Sequence, residues 1–137
     1  MIDRKSSTRL ILGVIIASLF TVFAGATSEQ IPTIVIRKPT LIAFFVASLK
    51  DADTNEALSD FQFYLGEVQV PLNNKGIEVR EVYSPYFRIR RGSKTASFRP
   101  VKGVGYYFAA PEKEPRVEYG VSTDSDLLKI ADEYFRK

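Results

Sequence analysis

The 137-residue chain contains no cysteine, no histidine and no tryptophan. Without cysteine it forms no disulfide bond, and it cannot carry out thiol–disulfide exchange. Without histidine or cysteine it also lacks the common partners of a nucleophilic serine or cysteine. Carboxylates remain as candidate acid and base groups, and the neighbouring pairs are Asp51 with Asp53 and Glu112 with Glu114. Adjacent acids of this kind are usually solvated, so the sequence favours a non-catalytic protein.

Residues 1–26 have the composition of a secretory signal peptide. A basic start is followed by an uncharged apolar run over residues 10–23, and then by Ala24-Gly25-Ala26, a small-residue cleavage site. We predict cleavage there, which leaves residues 27–137 as a single domain. An uncleaved membrane anchor is the alternative, although the apolar run is shorter than the roughly 20 residues that a spanning helix needs.

An exported chain without cysteine is more typical of a bacterial periplasmic protein than of an animal secreted protein. We therefore predict a periplasmic or secreted location. The net charge of +3 comes partly from the leader, and the rest of the chain is nearly neutral but unevenly charged. Residues 50–81 are rich in acids, whereas every charged residue between 82 and 102 is basic. These bases, Arg88, Arg90, Arg91, Lys94, Arg99 and Lys102, predict an anion-binding face.

The first half of the mature chain predicts two strands and a helix. Residues 31–36 form a short apolar β-branched run, and residues 40–48 form a nearly continuous apolar run typical of a strand buried on both faces. Asp53 and Glu56 have the spacing of a capping box, so a helix is predicted to begin there. It is predicted to end before Pro71, and residues 73–76 then form a turn.

The second half predicts further strands and a closing helix. Residues 77–83 alternate between apolar and charged side chains, which indicates a half-exposed strand. Residues 87–98 predict either a hairpin or a short irregular helix. The closing unit has a strand over residues 106–110, a turn over 111–115, a strand over 116–119 and a helix capped by Thr123.

This order predicts an α/β fold with a mixed sheet flanked by helices. Residues 44–49 end the buried strand, Lys50-Asp51-Ala52-Asp53 follows, and Gly105 and Gly120 bracket the closing strands. In this arrangement the chain resembles the thioredoxin family. The resemblance implies that Lys50-Asp51-Ala52-Asp53 stands where that family has its CxxC motif, and Gly105 where it has its cis-proline. A basic β-rich or irregular segment over residues 84–102 then replaces a central helix of the family.

The acidic start of the first helix has a partial calcium-loop pattern. Asp51, Asp53 and Asn55 match the first ligand positions, but Glu56 replaces the required glycine and Gln62 replaces the closing glutamate. A solvated, acid-rich helix start explains the same residues. We therefore predict neither a metal nor a cofactor.

The resemblance and the missing cysteines together imply a redox-inactive, non-catalytic protein that binds a partner in a bacterial envelope complex. The predicted binding surface is the basic set from Arg88 to Lys102, with Lys50, Asp51, Asp53 and Gly105 as a vestigial active-site region.

Two alternatives to a protein-binding basic set stay open. In the first, the basic set binds an anionic lipid or glycan. In the second, its charges only protect an exposed edge strand from aggregation. In a strand, Arg88 and Arg90 share one face, with Phe87 and Ile89 on the other. Export argues against nucleic acid, and membrane contact is predicted only if the leader is uncleaved.

Overall fold

A computed structural model describes residues 31–136 of the chain, so the predicted signal peptide lies outside the described residues. Within this range, strands and helices follow the apolar patterns of the sequence. The elements in chain order are β1 (Thr33–Val35), β2 (Thr40–Phe45), α1 (Asn55–Asn74), β3 (Glu78–Val82), β4 (Phe87–Arg91), β5 (Lys94–Phe98), β6 (Val104–Ala110), β7 (Lys113–Tyr119) and α2 (Asp124–Phe135).

The four-stranded sheet has the order β3-β2-β6-β7. Strand β2 pairs parallel with β3 and antiparallel with β6, and β6 pairs antiparallel with β7. Every residue of β2 is buried, because both faces of this central strand are covered. The carboxyl ends of β2, β3 and β7 and the amino end of β6 therefore lie along one edge, which we call the carboxyl edge.

Helix α1 is capped by Thr54 and not by Asp53, the first residue of the predicted capping box. The Thr54 hydroxyl accepts a hydrogen bond from the Ala57 backbone N–H at 3.0 Å, and Glu56 favours the positive end of the helix dipole. Phe61, Leu65, Val68 and Leu72 recur at helical spacing and are buried against the sheet.

The predicted end of α1 before Pro71 is wrong. The helix continues through Pro71 to Asn74, so the predicted turn over residues 73–76 is shortened to the residues after Asn74. Continuing the helix buries Leu72, whose carbonyl also accepts hydrogen bonds from the N–H groups of Lys75 and Ile77 at 2.9 and 3.0 Å. This burial offsets the backbone hydrogen bond that proline cannot donate.

Helix α2 forms as predicted, with Thr123 as its cap. The Thr123 hydroxyl accepts a hydrogen bond from the Asp126 N–H at 3.3 Å, and Leu127, Ala131 and Tyr134 are buried. Among the described residues, neither helix is both long and apolar enough to cross a membrane.

The three-stranded sheet contains the segment for which the sequence left two possibilities open. Residues 87–98 form a hairpin of β4 and β5, and Gly92 occupies the turn with a φ of +61°, a value that glycine adopts readily. Strand β1 pairs parallel with β4, which gives the order β1-β4-β5. The short irregular helix is therefore wrong for this segment.

The turn between β6 and β7 is also shorter than predicted. The sequence predicted a turn over residues 111–115, whereas β7 begins at Lys113 and includes Pro115. Strand β7 lies at an edge of its sheet, where a residue without an N–H group is tolerated.

The four-stranded sheet carries an apolar core on each face, so the described residues form three layers. On one face, side chains such as Leu41, Phe45 and Phe108 pack against α1 and α2. On the other face, Phe44 and Tyr107 pack with residues of the three-stranded sheet. The described residues thus form a mixed α/β fold with two mixed sheets and two helices, which confirms the predicted class at that level.

Tyr106 in the helix-side core makes the fold sensitive to alkaline pH. Its side chain is fully buried, and burial raises the pKa of its hydroxyl to about 12 from the ordinary 10. The unfolded chain loses this proton near pH 10, whereas the folded chain holds it. Stability from this residue is therefore complete below pH 10 and falls as the pH rises towards 12.

We expect the raised pKa of Tyr106 to lower the free energy of unfolding by about 1 kcal/mol at pH 11. Urea unfolding of the wild type and of Tyr106→Phe, at pH 8 and pH 11, measures this loss. The phenylalanine variant should lose less stability between the two values. Equal losses in both proteins would show that other groups cause the loss of stability at alkaline pH.

Candidate functional site

The loop from Val46 to Asp53 follows β2 at the carboxyl edge. Gly103, in the segment before β6, forms two backbone hydrogen bonds to this loop. Its carbonyl accepts a hydrogen bond from the Val46 N–H at 2.6 Å, and its own N–H donates to the Lys50 carbonyl at 2.7 Å. The loop is therefore attached through its backbone, which leaves several of its side chains free for solvent.

The approach of Gly103 to this loop is very close. A Cβ atom at Gly103 would lie 2.3 Å from the Ala52 Cβ and 2.8 Å from the Val46 carbonyl oxygen. Gly105, which the resemblance placed at the cis-proline position, is the second residue of β6 and lies two positions after Gly103. A Cβ there would meet the Phe44 ring at 2.5 Å and the Glu118 carbonyl at 2.8 Å. Gly105 thus packs beneath the Phe44 ring, and Gly103 is the glycine in contact with the loop.

Lys50, Asp51 and Asp53 are exposed on this loop. Asp51 has a φ of +76°, an uncommon value for a residue other than glycine, although aspartate adopts it more readily than most. Asn55, the third residue of the calcium-like pattern, is already the first residue of α1. Across residues 31–136, no group of three acidic side chains is placed to hold a metal ion.

Exposed apolar side chains lie near other strand ends at the same edge. Tyr83 follows β3 with 46% exposure, Val101 precedes β6 with 73%, and Val121 follows β7 with 38%. All three lie at the carboxyl edge. They are three of the five large apolar side chains that are exposed among the described residues. Sequence reasoning missed Val101 and Val121, because single apolar residues in polar loops show their exposure only once the strand ends are placed.

Tyr83 is fixed in its place by two aromatic neighbours and a hydrogen bond. Its ring centroid lies 6.4 Å from that of Phe45 and 6.3 Å from that of Phe61. Its hydroxyl donates to a carboxylate oxygen of Glu81 at 2.7 Å. Partial burial raises the pKa of the Tyr83 hydroxyl, and the negative charge of Glu81 raises it as well. The ring is thus an ordered apolar surface with a neutral hydroxyl.

The basic set does not form one surface. Arg88 and Arg90 project from the exposed face of β4, while Phe87 and Ile89 are buried on its other face, as the alternation predicted. On this exposed face, Arg88 lies between Thr33 of β1 and Ser97 of β5, and Arg90 lies between Val35 and Thr95. We call this surface, defined by these six residues, the outer face.

Arg91 points the opposite way, towards the four-stranded sheet. Its guanidinium donates to the carbonyls of Lys113 at 2.6 Å and Ala110 at 3.5 Å, and lies 3.9 Å from a carboxylate oxygen of Glu114. Arg91 therefore joins the two sheets. Lys94 is its cross-strand partner, and both border a cavity of about 440 Å³ between the sheets.

The remaining two bases lie at the other end of the hairpin. The Arg99 guanidinium stacks on the ring of Tyr86, at 4.3 Å from the ring centroid. Arg99 directly follows β5, so the positive charge continues past the end of that strand. Lys102 is exposed next to Gly103, at the carboxyl edge. The basic set is thus divided among the outer face, the cavity between the sheets and the carboxyl edge.

The candidate carboxylate pairs are all on the surface. Asp51 and Asp53 lie exposed in the loop, Glu112 lies exposed in the turn between β6 and β7, and Glu114 lies exposed at the start of β7. Burial is one of the means by which proteins raise the pKa of a carboxyl group for acid–base chemistry, and none of these four side chains is buried. The best-defined sites are therefore two surfaces, the carboxyl edge and the outer face.

Comparison of the chain with protein-family models, with curated proteins and with solved structures gives no match.

Proposed function

We propose that this protein is an exported, non-catalytic, thioredoxin-like binding protein that serves as an accessory subunit of a bacterial envelope complex. The observation that carries the proposal is the group of exposed apolar side chains at the carboxyl edge, formed by Tyr83, Val101 and Val121. Apolar side chains left exposed along one end of a sheet favour a contact surface there. The leader-like residues 1–26 support export.

The arrangement of the main sheet supports the thioredoxin-like part of the proposal. The chain order is strand–helix–strand from β2 to β3, and strand–strand–helix from β6 to α2, with these strands in one sheet. This is the order on which the resemblance rests. In that family the active-site face binds extended peptides, so the same edge is the natural binding surface here.

The loop at this edge has side chains for binding but none for redox chemistry. Lys50, Asp51 and Asp53 are exposed where the family carries its cysteines, and the chain contains no cysteine at all. A partner can therefore rest on this edge without a covalent exchange step.

The expected partner is an extended segment of another protein with apolar side chains. Tyr83 follows one edge strand and Val121 the other, with Val101 before β6 between them. Three inter-strand spacings span roughly 14 Å, which is the length of about four extended residues. Apolar side chains along such a segment would contact the three exposed residues in turn.

Photo-crosslinking in cells that produce the protein tests this proposal. A photoreactive residue at Val101 should give a discrete protein adduct, identifiable by mass spectrometry. Val121→Asp in the same chain should reduce the adduct yield about tenfold or more, because it places a charge in an apolar contact. The adduct should persist at high salt, since apolar contacts are not screened.

Val70 provides the matched control. It is 64% exposed on α1, comparable to Val101, but lies on the helical layer. A probe at Val70 should give no such adduct, and Val70→Asp should leave the Val101 adduct unchanged. Equal adducts from both probes, or none from Val101, would contradict a partner site at the carboxyl edge.

A further inference from the structure

The outer face carries two arginines side by side on the central strand of its sheet. Arg88 and Arg90 are both exposed, and their neighbours across the strands include the hydroxyls of Thr33, Thr95 and Ser97. Within residues 31–136, neither arginine forms an ion pair. The two guanidinium groups are therefore available to an external anion.

The charge of the whole three-stranded sheet has one sign. Residues 31–38 and 84–102, which hold β1, β4 and β5 with their flanks, contain bases but no aspartate or glutamate. Arg99, stacked on Tyr86, adds a cation beside an aromatic ring at the end of the hairpin. Such a surface attracts anions and repels no part of an anionic partner.

We propose that the outer face docks on the anionic phospholipid headgroups of a membrane. Arg88 and Arg90 project from a strand surface instead of lining an enclosed pocket, and a small specific anion is usually held in a concave site. A layer of phosphate headgroups offers many negative charges in a plane, which suits cations displayed on a sheet. Tyr86 is of the residue type favoured at the membrane–water interface.

The chain enters the described residues beside this face. The carbonyl of Pro32 accepts a hydrogen bond from the Arg88 N–H at 2.8 Å. Only residues 24–30 separate Ile31 from the apolar run 10–23, and an extended stretch of that length reaches at most roughly 25 Å. If the run stays in the bilayer as an anchor, the tether raises the effective concentration of headgroups at Arg88 and Arg90.

The experiment uses the full chain in vesicles and exploits its lack of cysteine. Ser97→Cys places a single fluorophore on the outer face, and Ser59→Cys places one on exposed α1, in the helical layer. Energy transfer to a headgroup-labelled lipid reports the distance to the membrane surface. We expect transfer from position 97 to be strong when phosphatidylglycerol is present and clearly weaker without it, and transfer from position 59 to differ little between the two kinds of vesicle.

Charge reversal tests the arginines directly. Each base near an anionic surface contributes about a fivefold change in binding, so Arg88→Glu with Arg90→Glu should weaken docking at least about thirtyfold. High salt should do the same to the wild type. Lys75→Glu with Lys129→Glu makes the same charge change on the helical layer and should leave docking unchanged.

Lysine substitution separates a lipid surface from a defined anion site. Arg88→Lys with Arg90→Lys keeps the charge, so docking on headgroups should remain within about threefold of the wild type. A loss as large as that of the glutamate variant would indicate a bidentate site, such as one for a glycan carboxylate, and would overturn the proposal. Equal transfer from position 97 without phosphatidylglycerol would also overturn it. None of these outcomes depends on the partner site at the carboxyl edge.

Discussion

Replacing Phe44 with alanine is expected to lower the free energy of unfolding by about 3–5 kcal/mol. Phe44 is fully buried in β2, between the two sheets. Its ring centroid lies 5.5 Å from that of Phe98, 5.8 Å from that of Tyr119 and 6.2 Å from that of Phe87. Truncation leaves a cavity that these rings cannot fill, because β2 is paired on both sides.

Urea unfolding followed by circular dichroism measures this loss. Phe63→Ala is the matched control, since Phe63 is 62% exposed on α1 and its removal should change stability by no more than about 0.5 kcal/mol. Hydrogen exchange adds a local readout, because loss of Phe44 should weaken protection in β4 and β5 first. A loss below about 1 kcal/mol would mean that the three-stranded sheet does not depend on this contact.

Local patterns were sufficient for several elements of the fold. The continuous apolar run beginning at Thr40 predicted the buried strand β2, and Thr123 with its following acids predicted the start of α2. Both signals lie within a few residues of the structure that they determine. The same is true of the alternation that places Arg88 and Arg90 on one face of β4.

Other features depend on contacts between residues far apart in the sequence. The sequence groups Arg91 with Arg88 and Arg90, but its partners Ala110, Lys113 and Glu114 lie far along the chain, at the end of β6 and the start of β7. A list of neighbouring bases cannot reveal that one of them is held between two sheets.

The pairing of β1 with β4 has the same origin. Residues 33–35 and 88–90 lie side by side although more than fifty positions separate them. The short strand β1 carries no signal of its own that selects this partner over the main sheet. The outer face could therefore be predicted only in part, as two arginines on one side of a strand.

The loop at the carboxyl edge could be predicted from the sequence only in outline. The order of elements placed Lys50-Asp51-Ala52-Asp53 at the end of β2, where the loop is found. It did not indicate Gly103, because the need for glycine arises from atoms contributed by residues 46–52. It did not indicate Val101 either, since nothing in that polar loop marks an exposed valine.

Replacing Gly103 with alanine is the second change with a large expected effect, a loss of about 3 kcal/mol in stability. The added Cβ would lie 2.8 Å from the Val46 carbonyl oxygen and 3.0 Å from that of Leu49, besides 2.3 Å from the Ala52 Cβ. Two of these three neighbours are backbone atoms, which cannot rotate away. The loop must therefore shift, and the hydrogen bonds that join Gly103 to Val46 and Lys50 would be strained.

Two further variants show whether the close approach causes the loss. Ala52→Gly combined with Gly103→Ala removes the shortest contact but leaves both carbonyl contacts, so we expect recovery of only about 1 kcal/mol. Gly66→Ala makes the same substitution where a Cβ meets no atom within 4 Å, in the middle of α1. It should stabilise the protein by about 0.5–1 kcal/mol, because alanine favours helix more than glycine does. Urea unfolding of the three variants would refute the described loop geometry if Gly103→Ala were as harmless as Gly66→Ala.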